Sequence, residues 1–301
     1  TILSGRMNKI ENSVMAAIIG GSNNKIEKNA TYACIAGGAS NTCKSYMAFI
    51  GGGTGNTIEI SSSFCSICGG YGNKIQAGQS AILAGHQNYI QVYYSAIIAG
   101  QYNFVTKDQS GIFVGHSNNV SGSQSVVIGG FYNKISAQCC SIIDGNYNEI
   151  ISGSNSAIIA GRSNKINCGY NGEGNVVSGS FNTIEGDSNN CLVVGDNNYC
   201  TNVSDCIVCG NGAKVTGNEK IVVGHGSNGN CFYVDWNGQV YAKGFNIIGA
   251  TASETSAFSA KSAESPDISE LAEQINQMKS DIETLKLENE ELRAEVEKLK
   301  V

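Results

Sequence analysis

The chain has 301 residues, of which 38 are glycine, one is proline and 15% are charged, with a formal net charge of −6. Glycine without a three-residue period excludes collagen, and 41% hydrophobic residues exclude a disordered chain. No apolar run approaches the roughly 18 residues of a membrane-spanning helix, and no basic patch invites nucleic acid.

No signal peptide opens the chain, which starts at Thr1 rather than Met, so a fragment or a processed product is expected. The first 230 residues repeat the motif Gly-x-x-Asn-x-Ile fifteen times, from Gly5 and Gly21 to Gly210 and Gly224, at spacings of 14 to 18 residues. Asparagine stands three places after the glycine in 13 of the 15 copies, Ala213 and Ser227 being the exceptions. A unit this short is too small for a helical hairpin or a propeller blade. It suits one coil of a narrow parallel β-solenoid with two short strands and two turns. About fifteen coils of 15–16 residues are expected.

Glycine supplies a positive φ at a tight corner, and asparagine is the next-best residue for such a place. The asparagine column (Asn24, Asn41, Asn56, Asn73, Asn88, Asn103, Asn118, Asn133, Asn148, Asn164) is therefore expected to be structural, with its amides stacked in a ladder along the rod. Three places before the glycine stand Ile18, Ile35, Ile82, Ile97, Ile158, Val176, Leu192, Ile207 and Ile221. Two places before it stand Ile19, Leu83, Ile98, Phe113, Ile143, Val177 and Val193. Neighbours in a strand point to opposite faces, so this strand is apolar on both sides. The other strand carries Lys9, Lys25, Thr42, Thr57, Lys74, Lys134, Glu149 and Lys165, which belong in water. One strand per coil needs cover from outside its own solenoid, and a second copy of the chain is the economical source.

Residues 231–249 follow as a closing hairpin, turning at Asn237-Gly238 with Trp236 and Tyr233 as caps. Residues 250–265 form an Ala/Ser/Thr linker. Residues 266–301 carry an unbroken heptad pattern of a parallel coiled coil. Ile268, Ile275, Ile282, Asn289 and Val296 occupy a; Leu271, Met278, Leu285, Leu292 and Leu299 occupy d. Isoleucine at a with leucine at d and one buried asparagine leans toward a dimer, while the β-region votes separately.

The chemistry-bearing residues argue against catalysis. Cys65 and Cys68, and Cys206 and Cys209, match Cys-x-x-Cys, but residues three apart in a strand face opposite sides and cannot grip one metal. Most of the twelve cysteines replace Ser, Ala or Ile in the repeat columns and behave as small hydrophobes; Cys191 and Cys206 share a column in successive coils, where a bridge is geometrically possible. So many thiols suggest assembly in a reducing cytoplasm. His86 and His116 follow repeat glycines two coils apart, too far for one metal, and are expected to be surface residues. No set of nucleophile, base and orienting group appears, and neither metal nor cofactor is expected. A fibre-borne glycan depolymerase is the enzymatic alternative, but the acids of the rod fall in different columns. An ice-binding solenoid would need a regular threonine array, which the mixed outward column lacks. Exposed aromatics cluster over five coils: Tyr89, Tyr93, Tyr94, Tyr102, Phe104, Phe131, Tyr132 and Tyr147. Of these, Tyr102, Tyr132 and Tyr147 share one corner column. They are candidates for stacking on a surface glycan or for packing against a neighbouring subunit.

The Ser-Ala-Ile-Ile-Ala-Gly coils at residues 95–100 and 156–161 resemble the YadA-like head repeats of trimeric autotransporter adhesins. Residues 232–244 (Phe-Tyr-Val-Asp-Trp-Asn-Gly-Gln-Val-Tyr-Ala-Lys-Gly) are similar to the segment closing such rolls in phage tail-fibre and host-specificity proteins. The coils here are a residue or two longer, and the asparagine column replaces the smaller residues usual in that family. The resemblance implies a left-handed parallel β-roll, a homotrimer packed around inward strands, and a role in attachment to a host or surface receptor. No outer-membrane anchor barrel follows the heptads, which favours a virion tail fibre over a bacterial surface appendage.

Overall fold

The computed structural model describes residues 1–169, 172–217, 219–225, 230–235 and 237–242. The linker at 250–265, Trp236 and the heptad positions from Ile268 to Leu299 lie outside the described residues. The chain divides into two compact units, residues 1–240 and 241–301. The first is a parallel β-solenoid of about fourteen turns, and no helix occurs among the described residues.

Each coil contributes one strand to a sixteen-stranded sheet and one to a fourteen-stranded sheet. The register runs column to column: Ala81 pairs with Ala96 and Ile82 with Ile97 in the first sheet, Tyr89 with Phe104 and Ile90 with Val105 in the second. Early strands are two residues long, and one side chain of each turns inward. Those inward side chains, Ile18, Ile35, Ile82, Ile97 and Ile112 from one sheet and Ile26, Ile58, Ile90 and Ile135 from the other, are fully buried. They form a single core that runs the length of the rod. Burying each isoleucine contributes roughly 1.5–3 kcal/mol.

The corners carry the polar half of the structure. At the first corner the glycine is left-handed, with φ +107° at Gly100. A Cβ there would lie 2.1 Å from the carbonyl oxygen of Gly115 in the next coil. The second left-handed residue is the one two places later (Asn23, Ser40, Tyr102, Tyr132, Tyr147), not the conserved-looking asparagine of the motif. That asparagine turns inward instead. The backbone N–H of Asn41 donates to Oδ1 of Asn24 at 3.0 Å, while Nδ2 of Asn41 donates to the carbonyls of Gly37 (3.1 Å) and Gly53 (3.0 Å). Oδ1 of Asn41 in turn accepts the N–H of Asn56. The ladder is thus mainly amide to backbone. Direct amide-to-amide bonds join it at Asn103, Asn164 and Asn182, where Nδ2 reaches Oδ1 of the preceding asparagine at 3.1, 3.0 and 2.9 Å.

A second buried column lines the opposite corner: Ala16, Ala33, Ala48, Cys65, Ser80, Ser95, Ser110, Ser125, Cys140, Ser156, Asn175, Cys191 and Cys206. Each serine hydroxyl accepts the N–H of the next coil, as Ser80 does from Ser95 at 3.2 Å. Ser80, Ser110 and Ser125 donate to a carbonyl of the following turn, while Ser95 and Ser156 donate to the carbonyl two residues before them.

Two expectations need correction. Aligning every coil on its glycine places Val176, Leu192, Ile207 and Ile221 in the same column as Ile158. A β-bulge intervenes: Ile158 pairs with Val177, Ala160 with Ser178, and Ile159 has no opposite number. Beyond it Val177, Val193, Val208 and Val222 turn inward, and Leu192, Ile207 and Ile221 turn out. One fewer residue separates strand from glycine after the bulge, and a one-residue slip reverses the facing of the whole strand. The second correction concerns the count. Gly224 opens no further coil, because its strand, Glu219–His225, pairs antiparallel with Asn230–Asp235 and ends the stack at about fourteen turns. Gly238, in the expected Asn237-Gly238 turn, is left-handed at φ +80°; much of the expected 231–249 hairpin lies outside the described residues.

Replacing Asn103 with leucine leaves the N–H of Asn118 without its partner and removes one of the two donors to the carbonyl of Gly115, which keeps the N–H of Gln101. A loss of roughly 1–3 kcal/mol is expected, measured as a lower midpoint in chemical denaturation; an unchanged midpoint would show that the column is solvated.

Candidate functional site

Three surfaces of the rod carry distinct chemistry. The first is the glycine corner. The residue directly after each glycine forms a ladder of parallel bridges, Tyr71 to His86, His86 to Gln101, Gln101 to His116, His116 to Phe131 and Phe131 to Asn146. Side chains from this ladder and from the left-handed position beside it make a continuous row of rings. Tyr71 meets His86 edge-on at 4.9 Å between centroids, and His86 lies 5.2 Å from Tyr102. Tyr102 is 5.5 Å from His116, which is 5.6 Å from Tyr132 and 6.0 Å from Phe131. Tyr132 and Tyr147 stack at 5.2 Å with planes 8° apart. The rings remain 37–54% exposed at Tyr102, Phe131, Tyr132 and Tyr147.

The expected column of Tyr102, Tyr132 and Tyr147 is therefore present, with Phe131 beside it. The histidines are not isolated surface residues, because His86 and His116 fill the gaps between the tyrosines. Tyr71 also belongs to the row. Their position, one place after the glycine, is the signal that would have found them. Only Tyr132 and Tyr147 lie face to face; the other neighbours in the row meet edge-on or tilted, so part of the ring surface stays open to solvent.

The other aromatics lie elsewhere. Tyr89 and Phe104 stand on the outer face of the fourteen-stranded sheet, 6.2 Å apart and edge-to-face, where the Tyr89 hydroxyl donates to Gln76. Tyr93 and Tyr94 sit at the opposite corner, where sequence reasoning missed a second apolar strip. Tyr32, Tyr46 and Phe64 touch edge-on there at 5.8 and 5.9 Å, and Met15 and Met47 extend the strip. Its signal is a left-handed position six residues before the glycine, occupied by Met15, Tyr32, Met47, Phe64 and Tyr94.

The second surface is the outer face of the sixteen-stranded sheet. Ile19, Leu83, Phe113, Ile128, Ile143 and Ile159 form its ridge before the bulge; Leu192, Val194, Ile207 and Ile221 continue it afterwards. Each is 39–51% exposed on the single chain. Cys68 stands in the same ridge, with its sulfur side outward, while Cys65 is buried. Cys209 is likewise outside and Cys206 inside, so neither Cys-x-x-Cys pair converges.

The third surface, the outer face of the fourteen-stranded sheet, is charged and internally paired. Glu59 bridges Lys44 at 3.0 Å and Lys74 at 3.1 Å; Lys25 lies 3.4 Å from Glu11 and 3.1 Å from Glu27; Lys134 meets Glu149 at 2.9 Å. Partial burial alone would raise the pKa of Glu59, but hydrogen bonds to Lys44 and Lys74 outweigh it and hold the carboxyl below its ordinary value. Among the described residues no group of three His, Cys, Asp or Glu side chains could hold a metal ion. Asp144 is exposed beside the glycine corner, and nothing in the structure explains it.

Comparison with protein-family models and with curated proteins finds no match to this chain.

Because the pKa of Glu59 is lower in the fold than in the unfolded chain, its ion pairs stabilise above the unfolded value of about 4.3 and lose that effect as the pH falls through the folded value. Glu59→Gln is expected to cost up to about 1 kcal/mol at neutral pH and nothing in strong acid, read from denaturation midpoints at both pH values.

Proposed function

We propose that this chain is a structural fibre and attachment protein, built as a homotrimeric rod that presents its corners and charged face to the outside. The observation that carries the proposal is the apolar ridge from Ile19 to Ile221. Soluble monomers rarely expose contiguous apolar patches beyond a few hundred Å². This one runs the length of a solenoid whose coils are about 4.8 Å apart. Self-association of identical ridges around a shared axis covers it, and closed cyclic symmetry ends the assembly. The likeness of residues 95–100 and 156–161 to YadA-like head repeats supports a trimer over a dimer. It also supports a place on a virion tail fibre or another extracellular appendage.

Three identical chains would place three ring rows on one rod. Contacts too weak to hold alone then gain from effective concentration. The row's partly exposed rings suit a polymer that offers both apolar faces and hydroxyl groups, such as a surface glycan lying along the rod. The rod carries out no chemistry on what it binds in this proposal.

Deleting residues 266–301 should leave a trimer by light scattering, since the ridge rather than the heptads drives assembly. The native thiols give a second readout. Cys68 and Cys139 are both exposed on the single chain, but only Cys68 lies in the ridge. Assembly should protect Cys68 from alkylation and leave Cys139 reactive. A folded monomer, or equal labelling of both thiols, refutes the trimer.

Attachment is tested separately. Tyr132→Ala should weaken binding of the trimer to glycan arrays and whole cells several-fold, with Lys25→Ala as the control on the charged face. Indistinguishable binding by the two variants would remove the ring row from the attachment surface, and release of reducing ends from a surface polysaccharide would favour a depolymerase.

A further inference from the structure

Cys191 and Cys206 are consecutive members of the buried column at the second corner, 1% exposed each, and their sulfurs lie 3.2 Å apart. The strands that follow them pair in parallel, with Leu192 opposite Ile207 and Val193 opposite Val208. The two cysteines thus face each other across one strand spacing of about 4.8 Å, inside the Cα separation that a disulfide spans. The rest of the column makes this pair distinctive. Its other positions are filled mostly by alanine or by serines that hydrogen-bond from coil to coil, as Ser95, Ser110 and Ser125 do. Cys65 stands between Ala48 and Ser80, and Cys140 between Ser125 and Ser156, so each of those sulfurs meets no thiol within its column. The hydrogen bonds of Cys140 show what one thiol does there. It replaces a serine hydroxyl, donating to the carbonyl of Gly153 at 3.4 Å. Two consecutive thiols are not required for that task.

We propose that Cys191 and Cys206 form a latent disulfide site that staples the last coils of the rod when the assembled protein meets a peroxide. One thiolate attacks the peroxide O–O bond, giving a sulfenic acid and releasing water once the leaving hydroxide is protonated. The second thiol attacks the sulfenic sulfur, the S–S bond forms and a second water leaves. Two thiols and one hydrogen peroxide become one disulfide and two waters, the sulfurs being oxidised and the peroxide reduced. A small oxidant suits a closed column, which has no room for the bulky mixed disulfide that a larger thiol would leave there. The hydrogen bond from the neighbouring thiol, followed by burial, pushes the pKa of Cys191 upward, so the reaction waits on local opening rather than proceeding on mixing. The location gives the staple its use. These coils adjoin the end where Glu219–His225 turns the stack antiparallel, and a one-dimensional stack frays from its ends.

The test uses the full chain in its assembled form. Exposed thiols are first blocked with iodoacetamide under native conditions. Hydrogen peroxide is then added, and the protein is denatured, capped with N-ethylmaleimide and digested without reductant. The expected product is one intrachain peptide joining Cys191 to Cys206, 2 mass units (roughly, two hydrogens) below the sum of its reduced parts. The oxidised rod should melt a few degrees above the reduced one. The Cys191→Ser/Cys206→Ser double variant keeps the column's hydrogen bonding, so it should melt with the reduced wild type and ignore peroxide. The proposal is overturned if both cysteines stay reduced, if Cys191 pairs with Cys168 or with another chain, or if the linked peptide comes only from chains unfolded before oxidation.

Discussion

The structure depends on the asparagine that closes each glycine corner. A solenoid coil this narrow must turn its backbone twice within about fifteen residues, and each turn leaves N–H and C=O groups pointing into the interior or along the stack. Buried and unpaired, each of these would cost about 1–3 kcal/mol. One inward amide makes three bonds at once: it pairs the carbonyl before its own corner and the N–H of the next asparagine, and it adds a second donor to the glycine carbonyl of the next coil. The glycine permits this because its missing Cβ lets the next coil's carbonyl approach to hydrogen-bonding range. Glycine and asparagine therefore act as one device, and the isoleucine columns fill the space between two rows of such devices.

The column of small residues at the other corner does the same work with less. A serine hydroxyl gives and accepts one bond where the asparagine amide makes three, and alanine at positions 16, 33 and 48 makes none. That difference explains why the first corner is nearly uniform along the chain while the second tolerates Ala, Ser, Cys and Asn.

Much of this was legible in the sequence, for a physical reason. A repeat that serves both backbone and core cannot vary, so the Gly-x-x-Asn-x-Ile spacing exposed the solenoid, its coil length and the burial of the asparagines. Facing was less legible. The bulge at Ile159 is a single extra residue, invisible when coils are aligned on glycine, yet it turns Leu192 and Ile207 outward and Val193 and Val208 inward. The ring row was half visible: Tyr102, Tyr132 and Tyr147 share a column, but His86 and His116 enter it from the neighbouring position, and adjacency across two columns depends on where the corner side chains lean. Tyr89 and Phe104 resemble members of the same cluster in the sequence, but an intervening corner puts them on another face. The strip of Tyr32, Tyr46 and Phe64 went unread because no motif residue marks its column.

The two sheets also differ in what holds them to their surroundings. Lysine and glutamate on the fourteen-stranded sheet find partners on their own chain, whereas the ridge on the sixteen-stranded sheet finds none there. The direction of the backbone hydrogen bonds adds a mechanical consequence. Every bond between coils lies along the rod, so tension on a single chain parallel to the axis is borne by one coil's worth of bonds at a time rather than by the whole sheet. A chain pulled from its end would be drawn off like thread from a spool, each lost coil lengthening it by about 50 Å for fifteen residues. A rod of this design dissipates a sudden load in many small, equal steps, and each step leaves the remaining coils with the same partners they had before.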